Sequence, residues 1–202
     1  MKKPHWLLIA ATVATSFCMA SCDEQSEAGE YANWKNRNQE FLDSIAQVAQ
    51  ENSDEWRILK AYDLPQDDPN DLTTGKRDVN NYVYCQIEKE GTGKVSPIFT
   101  DSIHAHYRVW LINDKEIDNS YRGELNPEIS VPAKFAMGNG MINGWVTALQ
   151  HMRVGDQWIV YMPYTLGYGT KGSGAVPGYS VLKYRINLAG VYTTGTVVPG
   201  WQ

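Results

Sequence analysis

The sequence predicts an α+β fold: a twisted antiparallel sheet wrapped around one short helix, with a helical extension ahead of it. Three observations predict it. Ile142, Trp145, Val146 and Leu149 fall at i, i+3, i+4 and i+7, one stripe of a short helix over 142–151. After a Gly155-Asp156 turn, the run 157–162 is apolar, aromatic and β-branched, the composition of a buried strand. Across 102–111, His104, His106 and Arg108 alternate with Ile103, Ala105, Tyr107 and Val109, the two-residue period of a half-buried strand. Helix is scarce and strands are many.

At the N-terminus, Lys2 and Lys3 precede an apolar run over 6–14 that is too short to span a bilayer, and small residues follow. This is the pattern of a secretory signal. It ends in Met19-Ala20-Ser21-Cys22, which resembles the lipobox of bacterial lipoproteins. The resemblance implies that residues 1–21 are removed and that Cys22 is acylated, holding an exported chain on a membrane of the cell envelope. The ordinary alternative is a soluble exported protein cut after Ser21. Several acyl chains would anchor stably where one would not. A formal net charge of −5 leaves no basic footprint, so no nucleic-acid partner is expected.

Residues 30–53 read as a helix. Trp34, Phe41 and Val48 recur every seven residues, Tyr31, Leu42, Ile45 and Ala49 fill one face, and Asn38 and Asn52 interrupt the stripe. Such a helix either packs on its own domain or joins two copies in a homodimer. The short segment 55–59 is expected to fold back against something apolar. Residues 65–81, rich in Asp, Asn, Pro and Gly, read as a linker. The expected division is therefore a signal over 1–21, an anchor and helical extension over 22–64, the linker, a main domain over 82–192 and a tail over 193–202.

The main domain opens with a strand over 82–88, in which Cys85 reads as a small buried hydrophobe. On the 102–111 strand His104 and His106 share what should be the solvent face; no third ligand is evident, so no metal is expected. Strand character around 129–131 and 135–137 precedes the helix, and a last strand spans 180–191. Between Pro163 and that strand lies a loop with Tyr164 and Tyr168 among several glycines. Its G-x-G-x-x-G at 167–172 follows a proline and opens no helix, which excludes a dinucleotide site. No Ser or Cys sits in a nucleophile-elbow context, so covalent hydrolysis is a poor reading.

The order I-x-G-W-x-x-A-L-x-x-M-x-x-G-D from Ile142, then a strand, then P-Y-x-L-x-Y-G-x-x-G from Pro163, then Val176-Pro177, resembles the FKBP-type peptidyl-prolyl isomerases. His106-Tyr107 resembles that family's HY strand and Ile117-Asp118-Asn119-Ser120 its FDSS. The resemblance covers about 82–191. It implies an FKBP-like domain that isomerises prolyl bonds without cofactor or metal, with proline-containing polypeptides as clients. It also implies roles. Trp145 would floor the proline pocket, Tyr168 would hydrogen-bond the substrate carbonyl region, and Asp118 would shape the polarity; these three are the catalytic candidates. Tyr107, Ile117, Met141, Ile142, Val176 and Tyr184 would form the substrate-binding walls.

Departures from the family pattern are also expectations to test. Ile117 and Ala133 stand where aromatics are usual, the loop near Ser173 and Gly174 is about one residue shorter, and Arg122 is the candidate partner for Asp118. The lost aromatics keep a second function open: a non-catalytic module, such as a chaperone, that grips proline-containing segments.

Overall fold

A computed structural model describes residues 29–66, 78–127, 129–138 and 140–200. The expected signal, Cys22 and most of the linker lie outside the described residues. The chain divides into two units, Met1–Ala32 and Asn33–Gln202. Of the first, only a turn at 29–32 is described.

The second unit begins with α1, Trp34–Glu51. It starts later than residue 30 because Asn33 takes a left-handed conformation, φ 53°, that ends the preceding turn. Its buried positions are Trp34, Asn38, Leu42, Ala46 and Ala49. Asn38 thus sits within the buried stripe rather than interrupting it. Leu42, Ala46 and Ala49 pack with Trp56, Tyr82, Tyr84, Ile159 and Tyr161. Of the two readings of this helix, the one in which it packs on its own domain describes the structure.

The chain then forms β1, Trp56–Lys60, and β2, Tyr82–Lys89, which pair antiparallel. The segment expected merely to fold back is therefore an edge strand. Just beyond it, the Tyr62 N–H donates to Thr147 Oγ1 at 3.1 Å and Asn143 Nδ2 donates to Asp63 Oδ2 at 2.6 Å. The boundary expected after residue 64 consequently does not separate an extension from a self-contained sheet.

The remaining elements are β3 (Ser102–Trp110), β4 (Glu116–Asn119), β5 (Ala133–Ala136), α2 (Asn143–Leu149), β6 (Gln157–Met162) and β7 (Leu182–Tyr192). The sheet order is β1-β2-β6-β7-β3-β4, with β5 also on β3. β5 pairs with Ser102–Ala105 and β4 with Arg108–Trp110, so together they use one edge of β3. That leaves no strand partner there for 129–131, where Ile129 and Val131 are exposed; the strand expected at those residues is absent.

Side chains alternate across the sheet. On β6, Ile159 and Tyr161 meet α1, whereas Met162, of opposite parity, crowds Gly144 of α2. The two helices therefore cover opposite faces. His104 and His106 share the α1-side face as the alternation requires, yet both are buried, at 4% and 1% exposure. Rings roof them: Tyr192 stands 5.1 Å from His104 and Tyr121 6.1 Å from His106, centroid to centroid. The expectation of solvent-facing histidines fails for that reason. Cys85 is fully buried on the α2 side, and burial pushes its thiol well above the usual range, which suits a packing role.

Candidate active site

Helix α2 delivers Trp145 to the face of the sheet opposite α1, with Ile142 capping it in an extended conformation. Three strands bring rings to the indole. Tyr107 of β3 stands 5.5 Å away at 84°, Tyr184 of β7 5.3 Å away at 87°, and Phe135 of β5 5.2 Å away at 56°. Edge-on contacts of this kind favour the ring quadrupoles. Trp145 is 5% exposed and Tyr184 equally so, which makes this cluster a rigid floor.

Phe135 was not foreseen as a site residue. The aromatic that seemed lost at Ala133 is supplied two residues on, and in a strand two residues share a face. That spacing was the available signal.

β4 lies against β3 with Asp118 opposite Val109. The Tyr107 hydroxyl donates to Asp118 Oδ2 at 2.7 Å, and the Asn119 N–H donates to Oδ1 at 2.8 Å. Arg122, expected to pair with this carboxylate, is exposed on the segment after β4, and the Tyr107 phenol holds Asp118 instead. Burial foremost, then the Asp118 hydrogen bond, raises the Tyr107 pKa above the usual tyrosine value. Burial foremost, then the nearby Tyr168 phenol, does the same to Tyr184. Both phenols are neutral donors at any physiological pH.

In front of this floor is a cavity of about 260 Å³. Ile117, Asp118, Tyr168, Val176 and Tyr184, all expected, line it, together with Val109, Ser173 and Ala175. Tyr168 is 39% exposed at the mouth, while Val176 is buried. The loop that carries them is internally tied: Ser173 and Val176 exchange backbone hydrogen bonds of 2.9 Å, a tight turn. Tyr107 and Trp145 stand behind the lining through their contacts with Asp118 and Tyr184. Met141 and Ile142 are half-buried at the start of α2 and are not among the lining side chains.

A second cavity of about 280 Å³ lies among Arg57, Ile87, His151, Arg153 and Trp158. None of the expected site residues lines it, so size alone does not make it the reactive one. Among the described residues, no group of three or more His, Cys, Asp or Glu side chains could hold a metal ion. Chemically, the first cavity offers apolar side chains from Val109, Ile117, Ala175 and Val176, phenols from Tyr168 and Tyr184, and the polar groups of Asp118 and Ser173. It can bind and orient an amide beside an apolar ring.

Residues 93–189 match the family model described as FKBP-type peptidyl-prolyl cis-trans isomerase. The FKBP-type 22 kDa peptidyl-prolyl cis-trans isomerase of Escherichia coli K12 is 37% identical over 105 residues, covering 51% of this chain and 47% of that protein. The macrophage infectivity potentiator of Trypanosoma cruzi is 36% identical over 106 residues, 52% of this chain and 50% of that protein. The chain thus spans about half the length of these curated relatives. Among solved structures, FkpA from Escherichia coli superposes with a TM-score of 0.57 at 24% identity, over 80% of this chain and 62% of that one, a likeness of fold.

Proposed function

We propose that this chain, whose residues 93–189 are an FKBP-type peptidyl-prolyl cis-trans isomerase domain, accelerates rotation about X-Pro bonds in polypeptides outside the cytoplasm. The observation that carries the reading is the Trp145 indole, walled by Tyr107, Phe135 and Tyr184 at the back of a cavity with Tyr168 at its mouth.

Rotating a prolyl amide breaks its conjugation against a barrier of roughly 18–20 kcal/mol. No nucleophile and no net proton transfer are needed. The protein has to bind the twisted amide better than either planar form. The twisted amide has less charge separation, so apolar walls favour it and the removal of water from its carbonyl costs it less. In this pocket the pyrrolidine ring sits against Val176 and Tyr184, which Trp145 backs from behind, and the Tyr168 hydroxyl donates to the carbonyl region. Asp118, fixed by Tyr107, gives one polar wall whose orientation does not drift. Met141 and Ile142 serve through the position of the helix start rather than as lining.

The test is exchange NMR on a panel of X-Pro peptides with the purified protein, beside Trp145→Ala and Tyr168→Phe. Acceleration that falls in both variants supports the enzyme and its pocket. A folded protein that binds proline peptides and accelerates none of them leaves the non-catalytic module.

We also propose, on the sequence motif alone, that the chain is exported by the 1–21 segment and lipid-anchored to the cell envelope through Cys22. Labelling with an alkyne fatty acid should mark the protein, and Cys22→Ser should lose the label. A homodimer through the apolar stripe of α1 is disfavoured, because that stripe is already covered by the protein's own sheet.

A further inference from the structure

The loop that lines the cavity, residues 163–181, has two feet, and α1 reaches both. At the C-terminal foot, Trp34 Nε1 donates to Ser180 Oγ at 2.9 Å, and Ser180 Oγ donates onward to the Pro177 carbonyl at 2.7 Å. Pro177 directly follows Val176, a wall of the pocket. One turn along the helix, Asn38 Oδ1 accepts the Val181 N–H at 2.7 Å while its Nδ2 donates to the Trp34 carbonyl at 2.8 Å. Lys35 Nζ lies 4.8 Å from the centre of the Tyr179 ring. Tyr179 is held in a left-handed conformation, φ 62°, and its N–H donates to the Gly169 carbonyl at 3.0 Å, beside Tyr168. At the N-terminal foot, Gln39 Oε1 accepts from Asn80 Nδ2 at 3.2 Å, and the Asn80 carbonyl accepts from the Thr165 hydroxyl.

These contacts differ in kind from the rest of the helix. Leu42, Ala46 and Ala49 bury apolar surface on the sheet, whereas Trp34 and Asn38 spend buried polar groups on one loop. A buried amide bond to a backbone N–H is directional and costly to leave unmade, so it fixes position as well as adding stability. The matched family segment begins at residue 93, well after α1.

We propose that Trp34 and Asn38 are positioning residues of the prolyl pocket: α1 holds the feet of the 163–181 loop and so sets where Tyr168 and Val176 stand against Trp145. The proposal rests on the isomerase reading of that pocket. Neither residue touches substrate; both act through the loop. A small displacement of a wall or donor can cost a large factor in rate, up to ~100-fold per ångström.

The experiment compares the full chain with Trp34→Phe, Asn38→Ala and Ala46→Gly, the last destabilising the same helix without touching the loop. Temperatures are chosen to give equal fractions folded. Two quantities are read: kcat/KM on X-Pro peptides by exchange NMR, and amide hydrogen exchange across 168–178. Trp34→Phe and Asn38→Ala should lower kcat/KM roughly five- to tenfold and speed exchange in the loop, while Ala46→Gly leaves both near wild type. If all three variants behave alike, the proposal is overturned. Trp34→Phe keeps the ring and decides the matter alone should Asn38→Ala not fold. If the wild type accelerates no peptide, the isomerase reading fails, and loop exchange still tells whether α1 holds the loop.

Discussion

Both carboxylate oxygens of Asp118 are engaged, Oδ2 by the Tyr107 hydroxyl at 2.7 Å and Oδ1 by the Asn119 N–H at 2.8 Å. The phenol ties the polar wall of the pocket to the aromatic floor. Tyr107→Phe keeps the ring and frees one oxygen. Because Asp118 is exposed, stability should change by less than about 1 kcal/mol. Rate should suffer more, with kcat/KM falling about three- to tenfold. Exchange NMR beside a thermal melt separates the two, and an unchanged rate would show that Asp118 needs no anchor.

Phe135 packs on the Trp145 indole two residues beyond Ala133, the position where an aromatic was expected. It is half-buried, so Phe135→Ala should cost about 1–3 kcal/mol, below the range for a fully buried ring. The floor loses a side, and kcat/KM should drop by about tenfold or more. Ala133→Phe is the informative companion. If it restores rate in the Phe135→Ala background, either position can serve; if it does not, the ring is needed where β5 puts it.

Gly178 passes close to the chain on the other side of the 163–181 loop. A Cβ there would run into the Thr170 carbonyl oxygen and lie 2.7 Å from its carbon. Both obstacles are backbone, so Gly178→Ala must part the two arms of the loop. Overpacking of this sort costs about 1–3 kcal/mol. Activity should fall further than the melting temperature explains, since Tyr168 rides on the displaced arm.

His104 and His106 are held below the ordinary histidine value of 6.5. Burial is the main cause in each, followed by Lys134 for His104 and by His104 for His106. The unfolded chain therefore binds more protons than the folded one below that value. The stabilisation is complete above pH 6.5 and is lost as pH falls from 6.5 through the lower folded values. The melting temperature should decline from about pH 7 to about pH 5, with a shallower slope when both histidines are changed to glutamine. An unaltered slope would assign the decline to other groups.

Where periodicity carried the signal, the sequence reading matched the structure closely. The 157–162 strand has the expected bounds, β3 ends one residue early, and the Trp145 stripe is α2. The misses are tertiary. β1 is five residues on a sheet edge, and the alternation of Trp56 and Ile58 is too brief to outweigh the helix before it. The 129–131 run has strand composition, yet β3 offers it no free edge. The roof over the histidines comes from Tyr121, beyond β4, and from Tyr192, the last residue of β7. Asn38 reads as a break in an apolar stripe because its partner, Val181, lies 143 residues away.

β7 is central in the sheet, between β6 and β3, and it is the last strand of the chain. Without it the sheet falls into two halves, β1-β2-β6 and β3 with β4 and β5, that share no strand pairing. A chain made from its N-terminus accordingly produces α1 first and the strand that unites the sheet last. Pairings of such long sequence separation close slowly, and they cannot close at all on an unfinished chain. Completion of the sheet waits on β7, however much of the chain has been made before it.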